Sequence, residues 1–171
     1  MARQGFPTTL ATRELDGAKV AWDGHLFTYE EKGGTRNSSA QLGVDEHVVI
    51  KTLVFEDEDK RPLIVLMHGD CTVSTKELAR QLGKRRIEPC APEVAERHTG
   101  YQVGGTSPFG LKKPLPIHAE ATLFEAPLIY INGGKRGFLV AITPAELERV
   151  LAPVRVTVAN DKATGTRLGS A

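Results

Sequence analysis

A single mixed α+β domain is the fold class this sequence predicts, and three observations carry that reading. The chain has 171 residues, about the length of one domain, with neither an internal repeat nor a linker of shifted composition. Its 40% hydrophobic and 25% charged residues are ordinary for a globular core and exclude wholesale disorder. Short β-branched runs alternate irregularly with short capped segments, so a regular βαβ repeat with full-length helices is absent.

Taken in order, Thr8 or Thr9 caps a first helix through Leu10, Ala11 and Leu15 that stops at Asp16-Gly17. Lys19 to Trp22 and Leu26 to Glu30 alternate around Asp23-Gly24, which predicts a β-hairpin with a two-residue turn. A polar, Gly-rich stretch from Glu31 to Ser39 precedes at most two helical turns ending at Gly43. Val48 to Phe55 is too apolar for an edge strand. After the acidic turn Glu56 to Asp59, Pro62 to Met67 returns as a second strand.

Ser74-Thr75 opens a helix closed by Gly83. Ile87 to Cys90 is a short strand, and Pro92 starts a brief helix reaching Arg97. Tyr101 to Lys113 is a loop; Leu115 to His118, Leu128 to Asn132 and Phe138 to Ile142 are strands, the last two joined by a turn at Gly133 to Gly137. Thr143-Pro144-Ala145-Glu146 is a capping box with Pro at its first helical position, giving a helix to Leu151. Val154 to Val158 closes the domain, read as residues 1–158, and residues 159–171 have the composition of a loose tail.

Several function classes fall away on composition. No apolar run approaches the ~18 residues a bilayer span needs, and Met1 to Leu10 lacks the pattern of a secretory signal. Two cysteines, Cys71 and Cys90, are too few for a disulfide framework and suit a reducing cytoplasm. With 22 Lys+Arg against 21 Asp+Glu, net +1, the chain lacks the basic coat of a DNA-binding protein.

Three features could carry chemistry. Lys51 sits in a strand whose faces are both mostly apolar, where desolvation disfavours its charge; a lysine snorkelling to water at a sheet edge is the plainer alternative. The loop Gly104-Gly105-Thr106-Ser107-Pro108-Phe109-Gly110 can aim amide N–H groups at an anion or a polarised carbonyl, or be an ordinary surface turn. Asn132-Gly133-Gly134-Lys135-Arg136-Gly137 could contact phosphate or be a solvated turn, and lacks the Ser/Thr and helix of a nucleotide-binding P-loop. Metal readings are weak: His68 and Cys71 form one close pair, and no second pair completes a zinc site. No nucleophile elbow or activated cysteine is visible.

In order and spacing, Val49-Ile50-Lys51-Thr52-Leu53, the string Tyr101-x-x-Gly104-Gly105-x-Ser107-Pro108-x-Gly110-x-Lys112-Lys113, and Gly133-Gly134-Lys135-Arg136-Gly137 resemble the YbaK/EbsC family of aminoacyl-tRNA editing domains, over roughly Thr8 to Val158. That family is related to the editing insertion of bacterial prolyl-tRNA synthetase. The resemblance implies a barrel-like mixed β-sheet surrounded by short helices. It also implies an activity, clearance of mischarged tRNA and above all Cys-tRNA(Pro), without a cofactor or metal. Lys51 matches the lysine that fixes the substrate backbone at the tRNA 3′ end, with Thr52 beside it and Tyr29 near the pocket. Gly104, Gly105 and Ser107 match the catalytic part of the substrate loop, whose backbone can contact the scissile ester carbonyl, with Thr106 and Pro108 binding substrate beside them and Gly133 in the turn that follows. Asn132 and Leu139 stand where the YbaK branch often has Ser and an acidic residue, a departure at the amino-acid side-chain pocket. Lys112, Lys113, Lys135 and Arg136 are the candidates for tRNA contact. The partners implied are the aminoacyl-tRNA 3′ end and, secondarily, prolyl-tRNA synthetase, in the cytoplasm, with no membrane and no DNA. In the mechanism the resemblance implies, the enzyme polarises the ester carbonyl while the substrate's own thiol attacks, or water for a substrate without one. Two further readings stay open: a deacylase for another small amino acid such as Ala, and a tRNA- or synthetase-binding module without catalysis.

Overall fold

The computed structural model describes residues 5–168. Five short helices, α1 (Leu10–Gly17), α2 (Gly34–Leu42), α3 (Thr75–Leu82), α4 (Pro92–Thr99) and α5 (Pro144–Leu151), surround ten strands. The strands are β1 (Asp23–Leu26), β2 (Val49–Asp57), β3 (Pro62–His68), β4 (Cys71–Val73), β5 (Ile87–Pro89), β6 (Ile117–Glu120), β7 (Ile129–Lys135), β8 (Phe138–Ile142), β9 (Val154–Val156) and β10 (Ala159–Asp161). Eight form one sheet in the order β1-β8-β7-β2-β3-β6-β9, with β5 paired to the far end of β2; β4 and β10 form a separate ribbon. The sheet is mixed: β7 runs parallel to β2, and β3, β6 and β9 are mutually parallel neighbours, while the other pairs are antiparallel. The mixed α+β class holds. Along this strand order β1 and β9 are the two ends, so among the described residues the sheet is open in its hydrogen bonding.

Two cores follow from the period-two alternation of the long central strands. On one face Ile50, Ile64, Leu66, Ile131, Phe138 and Val140 pack with Ala11 and Leu15 of α1 and Leu147 of α5. On the other, Phe55, Leu63, Val65 and Met67 pack beneath Leu78 and Ala79 of α3, with Cys71, Val158 and Ala159 of the ribbon. The helix ends obey local chemistry. Thr9, Ser74 and Thr143 accept from backbone N–H groups of the first turns of α1, α3 and α5, and Gly43 and Gly83 close α2 and α3 in the left-handed conformation.

The structure corrects several expectations. No hairpin surrounds Asp23-Gly24: both residues belong to β1, which pairs with Ala141 to Phe138 of β8. Gly24 is small there because the Phe6 ring lies against it; a Cβ would stand 2.6 Å from that ring. α2 begins at Gly34, inside the stretch read as loop, and α4 continues to Thr99. β6 lies two residues later than expected, and β7 continues past Asn132 to Lys135 through an irregular register. β4 was not foreseen. Ala159 to Asp161, expected in a loose tail, form β10 against β4, with Val158 and Ala159 buried. The final residues, 169–171, lie outside the described part.

Candidate active site

Lys51 projects from an interior strand, since β2 lies between β7 and β3. A sheet-edge snorkelling lysine is therefore ruled out. Opposite Met67 in the ladder, it shares a face with Val49 and Leu53, and its half-buried ammonium donates to the Cys71 carbonyl. Burial, and next the neighbouring Lys162 ammonium, lower its pKa from the ordinary lysine value. The parallel ladder between β2 and β7 ends at Ile50 and Ile131, so Lys51 and Asn132 are the first residues beyond it, where the two strands part. Leu139 of β8 opposes Asn132, and His25 of β1 opposes Leu139. Register therefore puts Lys51, Asn132, Leu139 and His25 on one face of the sheet.

A glycine loop joins this face. Asn132 Nδ2 donates to the Gly104 carbonyl at 3.2 Å, while its Oδ1 accepts from the N–H groups of Gly134 (2.7 Å) and Lys135 (3.1 Å). One side chain thus ties the loop to the β7–β8 turn. Arg136 Nε donates to the Val103 carbonyl at 2.8 Å, and its guanidinium lies 4.7 Å from the centre of the Tyr29 ring. Gly104 has φ +90 and lies so close to Tyr29 that a Cβ would stand 2.8 Å from its hydroxyl; at Gly105 a Cβ would stand 2.7 Å from the Arg136 nitrogen. Tyr29, Gly104, Gly105, Asn132, Lys135 and Arg136 are accordingly brought together beside the face that carries Lys51 and Leu139.

Other residues singled out from the sequence lie elsewhere. Thr52 opposes Leu66 on the other face, its hydroxyl buried with no hydrogen-bond partner. Gly133 packs against the Phe138 ring in that same core. Ser107 is fully buried and its Oγ accepts from the Phe109 N–H at 3.2 Å; Pro108 and Phe109 are buried beside it. Ser107 and Pro108 therefore anchor the loop, and the Gly105 N–H is itself engaged by the Gln102 carbonyl at 2.8 Å. Thr106 is half-buried next to them. Lys112 and Lys113 lie at the far end of the loop, where Lys112 packs over Gly100 at the end of α4. On the other side of the β7–β8 turn a groove of about 550 Å³ is lined by Phe6, Leu26, Phe27, Lys135 and Arg136, among others.

Sequence reasoning missed the groups around the Lys51 ammonium. His47 Nδ1 and Asp70 Oδ1 are 2.8 Å apart, and the His47 ring stacks on His68 at 3.7 Å. Burial lowers the His68 pKa; its ring nitrogens contact the His47 carbonyl (2.6 Å) and Thr122 Oγ1 (2.7 Å). Burial opposes ionisation of Asp70, but the His47 hydrogen bond and charge outweigh it and hold the carboxyl below its ordinary value. Burial, followed by Asp70, pushes the Cys71 thiol up to about 12. Donor atoms of His47, Asp70 and Cys71 lie within 4.8 Å of one another. Within this cluster Asp70 is the shared hydrogen-bond partner, of His47 Nδ1 at 2.8 Å and of the Cys71 thiol at 3.4 Å. The cluster replaces the His68–Cys71 pair considered from the sequence.

The comparisons with known proteins place this fold in a family. Residues 31–150 match the aminoacyl-tRNA editing domain family; the chain belongs to that family, whose activity is deacylation of aminoacyl-tRNA. An Enterococcus faecalis protein named "Putative Cys-tRNA(Pro)/Cys-tRNA(Cys) deacylase EbsC" is 29% identical over 137 residues, covering 80% of this chain and 84% of that protein. A proline--tRNA ligase of Nitratidesulfovibrio vulgaris is 31% identical over 127 residues, 72% of this chain but 22% of the ligase. A solved structure titled hypothetical protein APE2540 superposes with a TM-score of 0.81 at 22% identity, covering 89% of this chain and all of that one. Among the described residues no helix is long and apolar enough to cross a membrane.

Proposed function

We propose that the chain is a trans-editing deacylase that clears mischarged tRNA in the cytoplasm, acting on the aminoacyl 3′ end, with Cys-tRNA(Pro) as the leading substrate. The observation that carries this reading is the half-buried Lys51 ammonium at the parting of β2 and β7, on the face to which Asn132 ties the Gly104 loop. An aminoacyl ester is already activated, so a fixed cation and a shaped backbone cradle suffice to orient it and polarise its carbonyl. The protein's own nucleophiles are poorly suited to attack: Cys71 is held as a thiol and Ser107 is buried in the loop's base. In the mechanism the family resemblance implies, the substrate thiol attacks its own carbonyl, closing a thiolactone and releasing the tRNA hydroxyl, or water attacks for other amino acids; the Lys51 amine is the one alternative nucleophile at this site. Lys135, beside the loop, and Arg136, already braced on Val103 and Tyr29, suit the phosphates of the tRNA end.

A second reading of substrate is favoured by one observation. Leu139 is buried opposite Asn132, whose amide is engaged on both sides, so this part of the wall offers no acidic group to a substrate thiol. A small apolar amino acid such as Ala fits such a wall equally. Prolyl-tRNA synthetase is the secondary partner of this reading, since a proline--tRNA ligase is among the relatives that match the chain. A deacylation panel of Cys, Ala, Ser and Pro esters on tRNA(Pro) and on their cognate tRNAs separates these readings. Rapid loss of Cys from tRNA(Pro) supports the first, and preference for Ala the second.

A further inference from the structure

The C-terminal segment lies beyond residues 31–150 that match the family, yet it reaches the Lys51 site. Asp161 pairs with Cys71 across the β10–β4 ribbon. The Lys162 N–H donates to the Asp70 carbonyl at 3.0 Å. The Lys162 ammonium donates to the Gly69 carbonyl at 3.2 Å and to Glu46 Oε2 at 2.9 Å. Lys162 thus bonds both residues of the β3–β4 turn, Gly69 and Asp70, and Asp161 pairs with Cys71, the first residue of β4. The turn leads into the Cys71 carbonyl that receives the Lys51 ammonium.

The cluster is closed from a second direction. Thr35 Oγ1 of α2 donates to Glu46 Oε2 (2.7 Å) and also lies 3.1 Å from the Gly69 carbonyl. Glu46 and Gly69 are therefore bridged twice, once by a hydroxyl and once by an ammonium. Lys162 is the bridge that brings a charge. The charged and titratable groups facing Lys51 are Lys162 after β10, Cys71 on β4, Glu46 before β2, and Asp70 on the turn with His47 paired to it. Among them Lys162 is the cation that opposes the Lys51 charge, while Glu46 and Asp70 favour it.

We propose that Lys162 is a positioning residue for Lys51: by tying the C-terminal segment to Glu46 and to the Gly69 carbonyl, it fixes the turn that holds the Lys51 ammonium at the ester. The inference rests on the proposed deacylase reading for its effect on rate, but its structural half can be read without substrate. Lys162→Met, Lys162→Arg and Glu46→Gln are compared with the unaltered protein by thermal melting, by deacylation kinetics, and by titration of the Lys51 ¹³Cε resonance in lysine-labelled protein. Loss of that resonance in Lys51→Arg assigns it.

In Lys162→Met the rate constant kcat falls about tenfold with KM nearly unchanged, and the Lys51 titration moves upward as the opposing charge is lost. Lys162→Arg restores both, and Glu46→Gln moves the titration the other way. A folded Lys162→Met protein whose Lys51 titration is unmoved overturns the proposal, whatever its rate. Should Lys162→Met fail to fold, an unmoved titration in Glu46→Gln overturns it equally. If the unaltered protein cleaves no ester in the panel, the deacylase reading fails while the titrations still decide whether Lys162 acts on Lys51.

Discussion

Lys51 rests its ammonium on a backbone carbonyl rather than on a carboxylate, and that choice sets its chemistry. A carboxylate partner would neutralise the charge and raise the pKa; burial and Lys162 instead lower it. The ammonium form is complete below that lowered value and is lost as pH rises through it. Deacylation, corrected for spontaneous ester hydrolysis, is therefore expected to hold on the acid side and to decline at a lower pH than an ordinary lysine would give. A rate that climbs through the alkaline range would mean the neutral amine acts instead. Ser107 makes the opposite case. Its sequence context suggested a substrate contact, but its hydroxyl is buried on the Phe109 N–H. Ser107→Ala leaves that buried N–H unsatisfied and is expected to cost about 1–3 kcal/mol in a denaturant melt. Its kcat should stay within about threefold of the unaltered protein; a loss as large as that of Lys51→Ala would return the hydroxyl to the reaction.

The glycine loop and the β7–β8 turn act as one element, joined by Asn132 and Arg136. Arg136→Ala removes the brace on Val103 and the contact with Tyr29, and is expected to raise KM about fivefold while kcat changes less. Steady-state kinetics on the preferred ester measure both. At this scale the sequence was legible where information is local. β2 and β3 announce themselves by β-branched runs, α3 and α5 by caps, and the loop by its glycines. Asp23-Gly24 misled because the glycine answers a tertiary contact with Phe6, which no local pattern reports. The β4–β10 ribbon was invisible because each strand is three residues of mixed polarity, stable only when paired across the chain. The surroundings of Lys51 were lost with it. The motif identified the lysine, whereas Lys162 reaches it only through that non-local pairing.

For the whole molecule, net charge near zero and an RNA substrate are compatible if the grip is small. Lys135 and Arg136 stand at the site, whereas Lys112 and Lys113 lie at the far end of the loop, so few phosphates are neutralised. The plot of log KM against log salt is expected to have a shallow slope of about 1 to 2, falling by about 0.7 in Lys135→Ala. A slope steep enough for six or more contacts would require a larger tRNA surface than this site offers. The central claim, that a fixed ammonium in a shaped cradle removes amino acids from tRNA, has one direct test. Deacylation of Cys-tRNA(Pro), Ala-tRNA(Pro) and the cognate esters is measured with the unaltered protein and with Lys51→Ala of matched melting temperature. Rapid clearance of at least one mischarged ester, abolished in Lys51→Ala, is the expected result; full activity of a folded Lys51→Ala protein would contradict a role for that ammonium.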